Sequence, residues 1–196
     1  MKKIRGALSG TRIISRDKSI EKYIFLGDGA KKLGGFSVID GLYLVEKGIL
    51  EVYDKDRNVN FEELLEKGKK LTNDENFYIK YVVFRDLMNR GYILATGIKF
   101  GVDFRAYDKK NNKEGIKSEK TGERNIENIG QKQNNVQQIR MHSKFLIKVV
   151  PEEYVSSFSG IAGDVRLARA VNKNLVYAVV DKDSDILYYG IDMAKI

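Results

Sequence analysis

Three residues far apart in the chain, Tyr107, His142 and Lys173, carry groups suited to acid–base chemistry on a phosphate. They offer a phenol, an imidazole and an ammonium, each expected on the polar face of its own element. Such a set suits metal-free RNA cleavage, in which a ribose 2′-hydroxyl attacks the adjacent phosphorus. One group removes the hydroxyl proton, one protonates the leaving 5′-oxygen, and a cation stabilises the charge that develops on the phosphoryl oxygens. His142 is the only histidine in the chain. It opens the alternating stretch "RMHSKFLIKVVPEE", where Met141, Ser143, Phe145, Ile147 and Val149 form one face. His142, Lys144, Leu146 and Lys148 form the other, read as the solvent side. A rim tyrosine, a surface histidine and a solvated lysine would account for the same three residues without chemistry.

Two other constellations compete. Asp103 followed by Asp108, Lys109 and Lys110 faintly resembles the paired acids and lysine of magnesium-dependent DNA nucleases. A strand-face ion pair of Asp103 with Arg105 or Lys99 is the plainer expectation. The "DKDSD" segment, with Asp181, Asp183 and Asp185, lacks the remaining ligands of a calcium loop. It reads as a hairpin turn, or as a segment that docks into a basic pocket on another subunit. No GxxxxGK phosphate loop is present.

Composition narrows the classes. The 196 residues include no cysteine, which excludes disulfides and thiolate metal sites, and a single histidine argues against an imidazole-built zinc site. No metal or other cofactor is expected. No apolar run is long enough to span a membrane, and the first residues lack the apolar centre of a secretory signal, so a soluble, cytoplasmic protein is expected. The net charge of +8 points toward a polyanionic partner. Half of that excess comes from residues 109–140, which hold eight basic and four acidic groups and no aromatic residue. A stretch of that composition buries little area and reads as a mobile insertion.

The elements that must carry these groups follow from periodicity. "KIRGALSGTRIIS" reads as short strands around a Ser-Gly turn. Ser37 is placed to cap a helix with a stripe of Ile39, Leu42, Tyr43 and Val45, and Asn60 to cap a second with acids in its first turn. The polar run "KKLTNDEN" marks a boundary, giving domains at residues 1–72 and 75–196. The second opens with a helix on Phe77, Tyr81, Phe84 and Met88, stopped at Gly91. "ATGIKFGVDFRAYDK" alternates, with Ile98, Phe100, Val102, Phe104 and Ala106 inward and Lys99, Asp103, Arg105 and Tyr107 outward. "GDVRLARAVNKN" reads as a short helix capped by Asp164, with Val165, Ala168 and Val171 inward and Arg166, Arg169 and Lys173 on an exposed basic side. "LVYAVV" and "ILYY" are apolar on both parities and should be covered on both faces, by core or by a partner subunit. The fold class expected is α+β, a small mixed N-terminal domain followed by a mixed-sheet nuclease domain.

Three blocks carry a resemblance: "RDLMNRGYILATGIKFGVDFRAY" at residues 85–107, "HSKFLIKVVPE" at 142–152, and "RLARAVNKNLVYAVVDKDSDILYY" at 166–189. They are similar to the catalytic domain of the archaeal tRNA-splicing endonucleases, and residues 1–70 are similar, less distinctively, to that family's small N-terminal domain. The resemblance implies that Tyr107 is the general base, His142 the general acid and Lys173 the transition-state stabiliser. Because a phenol is a weak base at neutral pH, the tyrosine either takes the proton or orients the hydroxyl. Arg166 matches an arginine that stacks on a bulged base. The acidic turn matches a loop that docks into a neighbouring subunit, and the last strand a dimer-forming edge. The implied substrate is precursor tRNA cut at bulge-helix-bulge junctions, leaving a 2′,3′-cyclic phosphate and a 5′-hydroxyl. The implied assembly is a homotetramer, or a heterotetramer with a related subunit. The departure is the 35-residue step from Tyr107 to His142. This basic insertion, beginning at Lys109 and Lys110, is expected to contact RNA phosphates. A non-catalytic RNA-binding subunit and a metal-dependent DNA nuclease are the competing classes.

Overall fold

The computed structural model describes residues 3–23, 35–108 and 143–194. Among these residues, two five-stranded mixed sheets and four α-helices make up an α+β architecture. The first sheet has the order β3-β2-β1-β4-β5, from Gly35–Ser37, Arg12–Ile14, Ile4–Ser9, Leu50–Asp54 and Arg57–Val59. β1 and β2 form the hairpin read from the sequence, turning at Gly10, whose φ of +56° suits glycine. β1 and β4 run parallel, linked through helix α1, Val38–Glu46.

Both N-terminal caps are made as expected. Ser37 accepts from the Asp40 N–H while Asp40 reaches back, and Asn60 and Glu63 do the same for α2, Phe61–Thr72. The inward face of α1 is broader than the expected stripe. Val38, Gly41, Leu42 and Leu44 are buried, while Ile39, Tyr43 and Val45 are partly buried at its flank. The helix touches the first sheet, helix α2, and helix α3, Phe77–Asn89. Contact between α1 and α3 includes Tyr43 against Phe84, with ring centres 6.1 Å apart, and the Arg85–Glu46 ion pair at 3.1 Å. α3 is itself wedged between cores: Phe77 and Tyr81 belong to the first, Val82, Val83, Phe84 and Leu87 to the second.

The second sheet has the order β10-β9-β8-β7-β6, from Ile186–Ile191, Asn174–Val180, Phe145–Pro151, Phe104–Asp108 and Tyr92–Thr96. Its one parallel pair is β8 with β9, crossing over through α4, Phe158–Ala170. α3 covers one face with Phe104, Ala106, Ile147, Val149 and Ala178 beneath it. On the opposite face Val165 and Ala168 of α4 pack on Leu146, Leu175 and Tyr177.

That second layer overturns several expectations. Leu146 is wholly buried under α4, so the second parity of the histidine strand is no solvent side. α4 starts six residues earlier than Asp164 and is capped by Ser157, whose side chain accepts from the Gly160 N–H. The alternation at residues 98–102 is not a strand. Ile98–Phe100 is a 3₁₀ turn closed by Gly101 at φ +62°, leaving Ile98 81% exposed. Glycine is needed at position 97, where a Cβ would lie 2.5 Å from the Val102 carbonyl oxygen. β9 is buried as expected. β10 is an edge strand with Leu187 61% and Tyr189 52% exposed, so its outer face has no cover among the described residues. Among the described residues no helix is long and apolar enough to cross a membrane.

Candidate active site

Three strand ends meet at one end of the second sheet. β7 closes there, with Tyr107 next to its last residue, and β8 and β9 begin there. The Lys144 N–H donates to the Ala106 carbonyl at 3.0 Å, and the Asn174 N–H donates to the Lys144 carbonyl at 3.0 Å. The backbone around residues 143–144 thus ties the end of β7 to the beginning of β9.

Lys173 reaches this point because α4 stops abruptly. Asn172 takes the left-handed conformation at φ +54°, and the Lys173 N–H closes back onto the Ala168 carbonyl at 2.9 Å. The Lys173 Nζ then donates to the Ser143 carbonyl at 2.8 Å. Burial lowers the ammonium's pKa from the ordinary lysine value, and the charge of Arg105 lowers it further. The expected exposed basic side of the helix is thereby reduced. Lys173 turns inward, and Arg169 is taken by Asp192 at 2.6 Å and by the Met193 carbonyl at 3.1 Å. Arg166 is exposed on α4, as expected.

Tyr107 is not on an open polar face. It is only 5% exposed, and the Arg105 guanidinium lies over its ring, 5.9 Å from the centre. Arg105 is fixed by its Nε, which donates to the Thr96 carbonyl at 2.9 Å, and by the Phe100 ring at 5.7 Å. Sequence reasoning placed Arg105 on one face with Tyr107, two residues away on the same parity, but gave it no role beyond an ion pair with Asp103.

Asp103 pairs instead with Lys80 at 2.8 Å, and its other oxygen accepts the Val149 N–H at 2.7 Å. Lys80 also holds Asp74 at 2.6 Å. Both carboxylate oxygens of Asp103 are therefore engaged in joining α3 to the sheet, and the expected partners Arg105 and Lys99 are not used. The side chain of Asp108 lies outside the described residues, as do Lys109, Lys110, the whole insertion at 109–140 and His142. Among the described residues no three His, Cys, Asp or Glu groups gather to hold a metal ion.

Asp164, expected as a cap, is a mid-helix anchor. Its Oδ2 accepts from the Lys148 Nζ at 2.7 Å and from the Tyr177 hydroxyl at 2.6 Å. In the acidic turn, Asp181 Oδ1 accepts the N–H groups of Asp183 and Asp185, both at 2.9 Å, which makes a self-capped hairpin turn. Asp183 and Asp185 are exposed.

The site can therefore place a cation and a phenol together at one sheet end, with the histidine's neighbour Ser143 between their strands. Comparison with known proteins gives the family. Residues 77–119 and 136–188 match the model of the tRNA intron endonuclease catalytic C-terminal domain. The chain is 38% identical over 193 residues to a tRNA-splicing endonuclease of Pyrococcus abyssi, covering 96% of this chain and 95% of that one. It is 36% identical over 192 residues to one from Thermococcus onnurineus, with the same coverage. With one from Methanococcus maripaludis it shares 33% identity over 202 residues, covering all of this chain and 97% of the relative. Identity at this level along the full length, in both the catalytic region and the residues before it, shows that the chain belongs to the tRNA-splicing endonuclease family.

Proposed function

We propose that this chain is an endoribonuclease that removes introns from precursor tRNA, cutting bulge-helix-bulge junctions by 2′-hydroxyl attack. The observation that carries the reading is the meeting of Tyr107 and Lys173 at one end of the sheet, with Lys173 bonded to the carbonyl of the residue directly after His142. Within the proposal, Tyr107 takes the 2′-hydroxyl proton or orients that hydroxyl toward phosphorus. His142, as general acid, protonates the 5′-oxygen as its bond to phosphorus breaks, leaving a 2′,3′-cyclic phosphate and a 5′-hydroxyl. An ammonium has three donors, and among the described residues Lys173 spends one, on Ser143; the others serve the phosphoryl oxygens in this reading.

Arg166, exposed on α4, stacks on a bulged base in this reading, and Lys109 and Lys110 contact RNA phosphates. The bare edge of β10 supplies a dimer contact, and the acidic turn with Asp181, Asp183 and Asp185 docks into a further subunit, giving a homotetramer or a heterotetramer. Residues 1–72 and 75–196 act as the N-terminal and catalytic domains of a cytoplasmic enzyme.

The test is cleavage of a bulge-helix-bulge RNA by the purified chain in excess EDTA, beside a copy with a 2′-deoxy substitution at the scissile nucleotide. Cutting of the ribose substrate alone, with a cyclic phosphate product, is expected. His142→Ala should lose roughly a hundredfold to ten-thousandfold in rate while binding RNA as before. Cutting of the deoxy substrate, cutting only after magnesium is added, or a His142→Ala rate within a few fold of the parent would overturn the mechanism.

A further inference from the structure

Most arginines of the second sheet and its helices have their charge met. Arg85 faces Glu46, Arg90 faces Asp86 and Arg169 faces Asp192. Arg105 differs. It is half-buried, yet among the described residues it meets no carboxylate; a backbone carbonyl and two aromatic rings hold it. These contacts fix the plane of the guanidinium without cancelling its charge. Among the described residues only its Nε makes a hydrogen bond, and the N–H groups on both terminal nitrogens make none there.

Its neighbour compounds the imbalance. Lys173 also meets no carboxylate among the described residues, and its ammonium is lowered in pKa by burial and then by the charge of Arg105. Two cations that repel each other in a partly desolvated corner oppose folding, and among the described residues no carboxylate offsets them. An anion arriving there relieves the repulsion and gains hydrogen bonds to both. Guanidinium is suited to this because its planar fork matches two oxygens of one phosphate.

We propose that Arg105 is a substrate-binding residue that grips a phosphate of the RNA strand at the cleavage site, with Lys173 on the same anion. This assignment rests on the function proposed above, and goes beyond it by adding a fourth side chain to the site. Arg105 then has a double role. Its ring contact with Tyr107 keeps the phenol in register with the phosphate that the guanidinium holds.

The experiment measures the Kd of the full chain for precursor tRNA made uncleavable by a 2′-deoxy substitution, across a series of KCl concentrations. Arg105→Gln is expected to bind roughly tenfold more weakly at low salt. The slope of log Kd against log salt should shrink by about 0.7 to 0.9, the change for one phosphate contact. A variant that only disturbs packing would not change the slope. Arg105→Lys, which keeps the charge, should keep the slope. If the glutamine variant fails to fold, Arg105→Met, which retains the aliphatic stem over the rings, carries the same comparison. An unchanged slope in a folded, neutral variant overturns the assignment. A parent chain that binds this RNA but does not cut its all-ribose form overturns the catalytic reading, while the slope still decides Arg105. A parent chain that does not bind it overturns both.

Discussion

Replacing Asp164 with asparagine tests whether α4 is fixed to the sheet by charge. The carboxylate sits mid-helix and accepts from Lys148 of β8 and Tyr177 of β9, each group about three-quarters buried in the ion pair itself. Lys148 also lies over the rings of Tyr154 and Tyr177, at 5.7 and 5.5 Å, so it has no easy route to water when its counter-charge goes. A hydrogen bond to a charged group contributes about 1.5 to 3 kcal/mol when removed. Residual exposure, and the weaker bonds that an amide oxygen still accepts, reduce the sum of the two to about 2 kcal/mol. For a chain of this length that is a fall in Tm of about 4 to 8 °C. Thermal melts of Asp164→Asn, Lys148→Met and the double variant measure it. The pair should be non-additive by about 1 kcal/mol or more. A fall below about 1 °C, or strict additivity, would refute the anchor.

The same cluster gives the prediction a pH signature. Tyr177 is pushed up to about 12 by burial first and then by its bond to Asp164. Burial works to lower Lys148, but the bond and charge of Asp164 outweigh it and leave the ammonium above its ordinary value. Both folded pKa values lie above the unfolded ones, so both contributions are complete below about pH 10 and are lost as pH rises through the folded values. The Tm difference between parent and Asp164→Asn should therefore be flat from pH 7 to 9 and narrow above about pH 10. Narrowing already at neutral pH would place the stabilisation elsewhere.

Two further outcomes follow from the approach to the site. Gly97→Ala forces a Cβ onto the Val102 carbonyl oxygen, 2.5 Å away, and onto its carbonyl carbon at 2.9 Å; both are backbone atoms that cannot swing aside. It should cost about 1 to 3 kcal/mol by overpacking, seen in denaturant melts, and a loss under about 0.3 kcal/mol would show that the turn yields. Lys173 is lowered chiefly by burial and in part by Arg105, so the alkaline limb of cleavage should lie below the ordinary lysine value and move upward in Arg105→Gln. A limb that moves downward, or stays fixed, would separate the two residues.

Much of the fold was legible because local rules and tertiary packing agreed. Ser37 and Asn60 start helices through side chains that reach their own backbone, and Gly10 turns a hairpin through its own φ, all within a few residues. The misreadings share one cause. Alternation tells which residues lie on the two faces of a strand, but not whether a second layer covers the other face. The start of α4 was hidden because "EEYVSSF" lacks helical periodicity, while Ser157 caps from outside the apolar pattern. With the helix start placed late, Asp164 looked like a cap, Leu146 like an exposed residue and the far side of the sheet like solvent. The 3₁₀ turn at Ile98–Phe100 was missed for a related reason: two glycines four residues apart interrupt an alternation that a strand would share.

That second layer bears directly on the chemistry. A tyrosine on an open sheet face would be free to rotate and fully hydrated, whereas Tyr107 is enclosed by its neighbours and lies beneath a guanidinium. In the proposed mechanism, enclosure removes rotamer freedom before substrate arrives, so less entropy is lost in reaching the reactive geometry. It also keeps the nearby cations in a medium where their charges act more strongly on a phosphate than they would in water. The price is a fold that holds close together two cations that meet no carboxylate among the described residues, and α4 bears it: its mid-helix Asp164 binds the helix to β8 and β9, while its last turn delivers Lys173 to Ser143. On this reasoning Asp164→Asn should lower cleavage more than its loss of stability alone explains, because loosening α4 moves Lys173. Rates measured well below the variant's Tm decide it: a rate equal to the parent's would mean that the turn after α4 positions Lys173 without help from the anchor.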